Sequence, residues 1–270
     1  MSDMIVPGRP MRQMLRDWLN CVHQYGALYL GAYPFDLVRI RRAERAEGFD
    51  SHCDTDTGTV AYPWNLPSIR HAVTSEIHAY HAAPAWLVRE ALNSIPLLPD
   101  RFVFVDIGSG KGRVLLVASE LPFVEIVGVE LSRELHQIAQ DNINRYQSPT
   151  QRCTRFTLHC MNAVDYAFGP EPLVLFLANP FGQASIARVI ARLAVSLNAT
   201  PREVYVIYVN PWFEALFQSK GVLRRVGRGG TWWRPWNRYV IYASARSWAP
   251  TSTDGAQRAA GDARGPRYGR

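Results

Sequence analysis

The stretch Phe104-Val105-Asp106-Ile107-Gly108-Ser109-Gly110-Lys111-Gly112-Arg113 decides the fold. An apolar run closes on an acid, glycine then takes every second position, and an amphipathic segment follows; the pattern reads as strand, tight turn and helix. Glycines 108, 110 and 112 permit positive φ and let a ligand approach the backbone. A dinucleotide turn wants Gly or Ala at the sixth place of its glycine fingerprint, and that place is Arg113 here, which argues against NAD and FAD. A second apolar run, Val127-Gly128-Val129-Glu130-Leu131, puts Glu130 18 residues past Gly112, where a carboxylate can accept hydrogen bonds from both hydroxyls of a ribose.

Outward from this turn, short apolar runs alternate with amphipathic segments, the signature of parallel βαβ units. Strands are expected at 102–107, 124–130, 155–160, 172–178 and 203–209, and helices at 111–120, 132–146, 183–197 and 211–219. Runs as continuous as Leu173-Val174-Leu175-Phe176-Leu177 suit strands covered on both faces. Segments 222–228 and 236–245 read as an antiparallel edge pair joined through Gly229-Gly230. Upstream, residues 1–100 read as an N-terminal helical cap or substrate lid, with helices over Met11 to Tyr29, Leu37 to Glu47 and Pro84 to Ile95. The cofactor domain is then 101–246, and 247–270, rich in Ser, Thr, Gly, Ala, Asp and Arg, reads as a disordered tail.

The Asp-x-Gly-x-Gly-x-Gly pattern resembles motif I of the class I, Rossmann-like S-adenosylmethionine-dependent methyltransferases. Phe104 to Arg113 with Gly128-Val129-Glu130 is similar to uncharacterised bacterial members and, more distantly, to the non-SET histone lysine methyltransferases. The likeness spans roughly Pro84 to Ala245 and implies a mostly parallel seven-stranded α/β sheet with helices on both faces. It implies S-adenosyl-L-methionine as cofactor, with Asp106 facing the charged methionine part. Gly108, Ser109, Gly110, Gly112, Leu131 and Ala163 line the cofactor in this reading. Asn162 stands where relatives commonly have an Asp for the adenine amino group. Tyr80 belongs to an aromatic-polar segment over the methionine moiety, where His78 or His81 could serve as a base.

The end of the fourth strand faces the transferring methyl in such sheets, so Asn179-Pro180-Phe181 is the candidate catalytic turn. An Asn side chain and a carbonyl can orient an amine while Phe181 forms an apolar wall; equally, Asn-Pro can simply end a strand, as Asn210-Pro211-Trp212 does after the fifth. Pro84 to Leu92, Ala178 to Gly182, and Trp233, Pro235 and Tyr239 carry the likeness to the histone enzymes and add Tyr239 to the catalytic candidates. The expected activity is methyl transfer to a nitrogen, a lysine-like amine of a protein or peptide. The alternatives are an O- or N-methyltransferase of a small molecule, or a nucleic-acid-binding module on a retained cofactor fold.

Hydrophobic residues at 47% and charged ones at 20% are ordinary globular usage, which sets extensive disorder aside. A net charge of +7 favours acidic partners. Arg224, Arg225, Arg228, Arg234 and Arg238 with Trp232, Trp233 and Trp236 could hold nucleic acid or an acidic peptide; the simpler reading puts Arg on the solvent face and Trp on the sheet. Four scattered cysteines without a CxxC pair suggest no metal and a reduced, cytoplasmic protein. The Leu19 to Phe35 run is broken by His23, Gln24 and glycines, so no membrane anchor is expected.

Overall fold

The computed structural model describes residues 48–69, 76–218, 221–231 and 237–248. The expected helices Met11 to Tyr29 and Leu37 to Glu47, the residues Trp232, Trp233, Arg234, Pro235 and Trp236, and the tail from 249 onward lie outside them.

Five parallel strands form where the apolar runs end in turns: β1 Val103–Ile107, β2 Glu125–Glu130, β3 Phe156–Cys160, β4 Leu173–Ala178 and β5 Val204–Val209. With β6 Leu223–Gly230 and β7 Arg238–Ser244, which are antiparallel to each other, they make one seven-stranded sheet in the order β3-β2-β1-β4-β5-β7-β6. This is the Rossmann-like methyltransferase sheet that the motif implied. The order reverses between β1 and β4, and a crevice therefore opens beyond their carboxyl ends.

Period-two alternation sends each strand's side chains to two cores. Phe104, Ile126, Phe176, Ile207 and Ile241 pack with helices α2 (Ala85–Asn93) and α3 (Arg113–Ala118) on one face. Val105, Val127, Leu175, Val206 and Tyr242 pack with α5 (Gln183–Ala199) and α6 (Glu214–Gln218) on the other. Helix α4 (Arg133–Arg145) flanks β2 and β3, and its start is capped by the Ser132 hydroxyl, which accepts from Leu135 N–H at 3.3 Å.

Several expectations needed correction. Helix α3 starts at Arg113 rather than 111 because Gly112 has φ +88°, outside helical space. Helix α6 starts at Glu214 rather than 211 because Asn210 is left-handed at φ 50° and Pro211 follows. Gly229 and Gly230 are not the hairpin turn: both pair within β6, with Tyr239 and Arg238. A Cβ on Gly229 would come within 2.2 Å of the Tyr239 hydroxyl, so that glycine makes room for a ring. Ser247, expected in the tail, belongs to α7 (Ala245–Trp248) and accepts from Val204 N–H at 2.9 Å.

Upstream of β1, the helix expected over Pro84 to Ile95 is α2 (Ala85–Asn93). A short helix, α1 (Phe49–Cys53), and a 3₁₀ turn at Pro63–Asn65 precede α2. The other described residues before α2 form a strap across the carboxyl ends of the strands, tied by isolated antiparallel bridges Ala61↔Tyr80 and Ile77↔Phe181.

Candidate functional site: a strapped cavity at the switch point

A cavity of about 380 Å³ lies where β1 and β4 diverge, with the strap as its outer wall. That volume falls in the range of small-molecule sites.

On the β1–β2 side two acids face it. Asp106 is 2% exposed and, among the described residues, its carboxylate receives no hydrogen bond. Burial, with the neighbouring Glu130 charge adding to it, pushes its pKa well above the ordinary carboxylate value. Glu130 is also buried and raised by desolvation, but it is held: Gly110 N–H donates to Oε2 at 2.9 Å and Ser132 N–H to Oε1 at 2.8 Å. The glycine turn is thereby locked to β2, with Gly108 N–H also donating to the Val129 carbonyl at 2.8 Å.

Of the sequence-predicted cofactor residues, Tyr80, Asp106, Gly108, Ser109, Glu130, Leu131, Asn162, Ala163 and Asn179 line the cavity. Gly110 and Gly112 do not. A Cβ on Gly110 would lie 2.1 Å from the Tyr80 ring, so this glycine seats the ring instead of facing the cavity. Gly112, facing Ala139, lets α3 pack on α4. The Asn162 Oδ1 accepts from Val164 N–H at 3.1 Å, capping the turn after β3 and leaving one lone pair for a ligand amino group.

Asn179, Pro180 and Phe181 also line the cavity, with Pro180 against Gly108. Asn179 is left-handed at φ 47°, which turns the chain sharply off β4, and Tyr208 O–H donates to its Oδ1 at 3.3 Å. Its carbonyl is met by the His78 Nδ1 at 3.1 Å. Tyr239 is not brought here. It lies in the core on the α2 face, and its hydroxyl donates to Glu90 Oε1 at 3.1 Å, so its partners are structural. The hairpin register sets Tyr239 beside Val209 at the carboxyl end of β5, so it is the core its side chain enters, and not its level along the strands, that keeps it off the cavity.

Residues the sequence reading passed over complete the wall. Glu76 lines the cavity; its Oε2 accepts from Ser185 N–H at 2.8 Å and its carbonyl from Gly182 N–H at 3.0 Å, capping α5. Leu66 and Ile69 pack with Leu135 and bring the strap against α4. Nothing local in the sequence signals these contacts, because Glu76 and Ser185 are 109 residues apart.

Arg113, which served only to exclude a dinucleotide, anchors the strap. Its Nε–H donates to Thr57 Oγ1 at 2.7 Å, its guanidinium meets Asp50 at 3.3 Å and it lies over the Phe49 ring at 5.4 Å. Lys111 pairs with Asp56 at 3.0 Å, and Asn142 donates to the carbonyls of Asp56 and Lys111. Tyr80 O–H donates to the Thr57 carbonyl at 2.7 Å, so the ring over Gly110 is held through the same loop. Tyr80→Phe should cost about 1 kcal/mol in urea unfolding, the net worth of one such bond, and leave the fold intact. A loss above roughly 3 kcal/mol would assign the hydroxyl a wider role.

No protein-family description matches the sequence, and no curated protein matches it. Among solved structures the chain is similar to a ribosomal protein L11 methylase from Lactobacillus delbrueckii (15% identity, 59% of this chain and 76% of that one, TM-score 0.42). It is also similar to a magnesium protoporphyrin IX methyltransferase from Synechocystis with bound cofactor (15%, 59% and 74%, 0.41). A third is an S-adenosylmethionine-dependent methyltransferase of Leishmania major (14%, 59% and 70%, 0.44). Among the described residues no helix is long and apolar enough to cross a membrane, and no His, Cys, Asp or Glu cluster could hold a metal ion.

Proposed function

We propose that the chain is an S-adenosylmethionine-dependent methyltransferase that methylates a nitrogen, a lysine-like amine on a protein or peptide. The carrying observation is Asp106: a carboxylate 2% exposed, bonded by none of the described residues and facing a cavity of about 380 Å³. Such a group needs a cation, and the ammonium of the cofactor's methionine part supplies one. Glu130, with both oxygens already oriented by backbone N–H groups, suits the ribose diol, while Leu131, Asn162 and Ala163 suit the adenine. The bound cofactor would supply an activated methyl on a sulfonium.

The acceptor end supports an amine. It carries Glu76, His78, Asn179, Phe181 and Ser185, a set with one carboxylate, while Arg113 elsewhere in the lining is paired with Asp50; this side favours a cationic side chain over a phosphate or carboxylate. The cytoplasmic location and the N-terminal cap as a substrate lid belong to the same proposal. The arginines on β6 are weaker support for nucleic acid: Arg224, Arg225 and Arg228 lie on an exposed edge strand, where charge also blocks unwanted strand pairing.

Calorimetry with S-adenosylhomocysteine and S-adenosylmethionine tests the cofactor. Tritiated cofactor in a host lysate, fractionated afterwards, tests the acceptor. Label is expected in the protein fraction. Label confined to nucleic acid or small molecules overturns the amine assignment, and absence of binding overturns the whole reading.

A further inference from the structure

We propose that Tyr208 is a positioning residue that sets the Asn179 amide to donate, through Nδ2, to the carboxylate of the cofactor's methionine part. This rests on the methyl-transfer reading above.

Tyr208 is fully buried near the carboxyl end of β5, its ring against Phe217 with centroids 4.9 Å apart. A phenol in such a place needs partners for its proton and for its lone pairs. The backbone N–H groups of Phe213 and Trp212, in the turn after β5, donate to its oxygen. With donors already supplied, the hydroxyl has its own proton left to give, and Asn179 Oδ1 accepts it at 3.3 Å. The same network decides which way the amide lies. Were it reversed, the Nδ2 hydrogens would meet an oxygen already crowded by N–H groups, and the phenol proton would lose its acceptor.

In the amide Nδ2 lies across Cγ from Oδ1, so it is turned away from Tyr208. Asn179 is 8% exposed and lines the cavity, and among the described residues nothing accepts from its Nδ2. A buried N–H group without an acceptor is costly, so the acceptor has to come from what fills the cavity. An amine substrate does not supply it, because its lone pair must be left to the methyl carbon. The cofactor does: its methionine part carries a carboxylate on the same carbon as its ammonium. Of the Lys and Arg side chains among the described residues, Arg113 lines the cavity, and its guanidinium goes to Asp50 and Thr57. The carboxylate therefore depends on neutral donors such as this amide.

The placement suits a group of that size. Strands β1 and β4 are neighbours, in the register Asp106↔Phe176 and Ile107↔Leu177. Asn179 stands two residues beyond Leu177, and adjacent strands lie about 4.8 Å apart. The turns that follow them touch, since a Cβ on Gly108 would come within 2.3 Å of the Pro180 Cβ. Asp106 and Asn179 thus reach the cavity from adjoining strand ends, and one α-amino acid group spans them, its ammonium on Asp106 and its carboxylate on Nδ2.

The test is calorimetry on the full chain with two ligands that differ by one group: S-adenosylhomocysteine and its decarboxylated counterpart, S-adenosyl-3-thiopropylamine. The wild type should bind the first at least ~10-fold more tightly, the worth of a hydrogen bond to a charged group. Asn179→Asp keeps the oxygen that Tyr208 holds and tolerates the left-handed φ of 47°, but it sets a carboxylate where the donor stood. It should weaken S-adenosylhomocysteine ~30-fold or more and leave the decarboxylated ligand bound as well as before or better. Tyr208→Phe keeps the ring on Phe217 and should weaken S-adenosylhomocysteine ~3–10-fold with little change for the other ligand. It carries the same test if Asn179→Asp folds poorly. A part in packing alone would move both ligands together. A wild type that binds the two alike, equal losses for both in Asn179→Asp, or a Tyr208→Phe chain that discriminates as the wild type does would overturn the proposal while cofactor binding, and so the broader reading, stands. If the wild type binds neither ligand, the broader reading fails first and this one with it.

Discussion

Asp106→Asn is expected to raise the melting temperature of the ligand-free protein and to weaken cofactor binding strongly. The two effects have one cause. In the empty cavity the Asp106 carboxyl is desolvated, unbonded among the described residues and repelled by Glu130, so its folded-state pKa is raised above the unfolded value near 3.8. For a carboxyl shifted in that direction, the folded state holds more protons than the unfolded one. Its contribution to stability is complete below pH 3.8 and is lost as pH rises through the folded pKa. At neutral pH the wild-type chain carries this cost and the Asn variant does not. A gain of about 1 kcal/mol would lift the melting temperature by ~2–4 °C in a domain of this size. Binding moves the other way. Removing one partner of a buried charge pair costs ~2–5 kcal/mol, so affinity for S-adenosylhomocysteine should fall at least ~30-fold. In the wild type, a bound ammonium should draw the pKa back down, and calorimetry in buffers of different ionisation heat should detect proton release. A variant that melts lower than wild type, or that binds unchanged, would remove Asp106 from its assigned place.

The features legible in the sequence are those written in local patterns. Asp106 and Glu130 each stand at the end of an apolar run, and that place puts them at the carboxyl ends where the crevice lies. Asn179 was equally readable as a turn after β4, and its φ of 47° agrees with the turn reading as much as with the catalytic one. What the sequence hid was use at a distance. Glycines 110 and 229 look alike as turn markers, yet one makes room for Tyr80 and the other for Tyr239, rings 30 and 10 residues away. Glu76 and His78 sit in a segment with no helical or strand period, because it forms single bridges to Ala61 and Phe181 rather than a ladder. Tyr239 shows the converse hazard: an aromatic near the right place in sequence, drawn to the opposite core by a Glu90 that pattern alone does not pair with it.

Arg113→Met should release the strap. Met keeps much of the apolar stem, so the change isolates the guanidinium. In the wild type that group is 4% exposed and bonds Thr57, whose own side chain is buried, and Asp50. Asp50 in turn organises the loop: burial alone would raise its pKa, but bonds from Thr57 and Thr55 and the Arg113 charge bring it below the ordinary value. Removing the cation leaves these acceptors facing a thioether, at a cost of ~2–3 kcal/mol for charged hydrogen bonds and a melting temperature ~5–10 °C lower. The loss should be local in its consequences. Hydrogen exchange is expected to quicken in residues 48–69 and 76–82 and to stay slow in β1, β4 and β5. Because Tyr80 reaches the Thr57 carbonyl, the Arg113 and Tyr80→Phe effects should combine non-additively, and cofactor affinity should drop although the guanidinium's own partners lie in the strap. Arg89→Met is the control: it breaks an ion pair to Glu120 at 2.7 Å whose Arg side chain is 39% exposed, and it should cost under about 1 kcal/mol. Equal losses in the two Arg variants, or a cofactor affinity indifferent to Arg113, would show that the strap holds its place without this anchor and that the residue after the glycine turn answers only to packing.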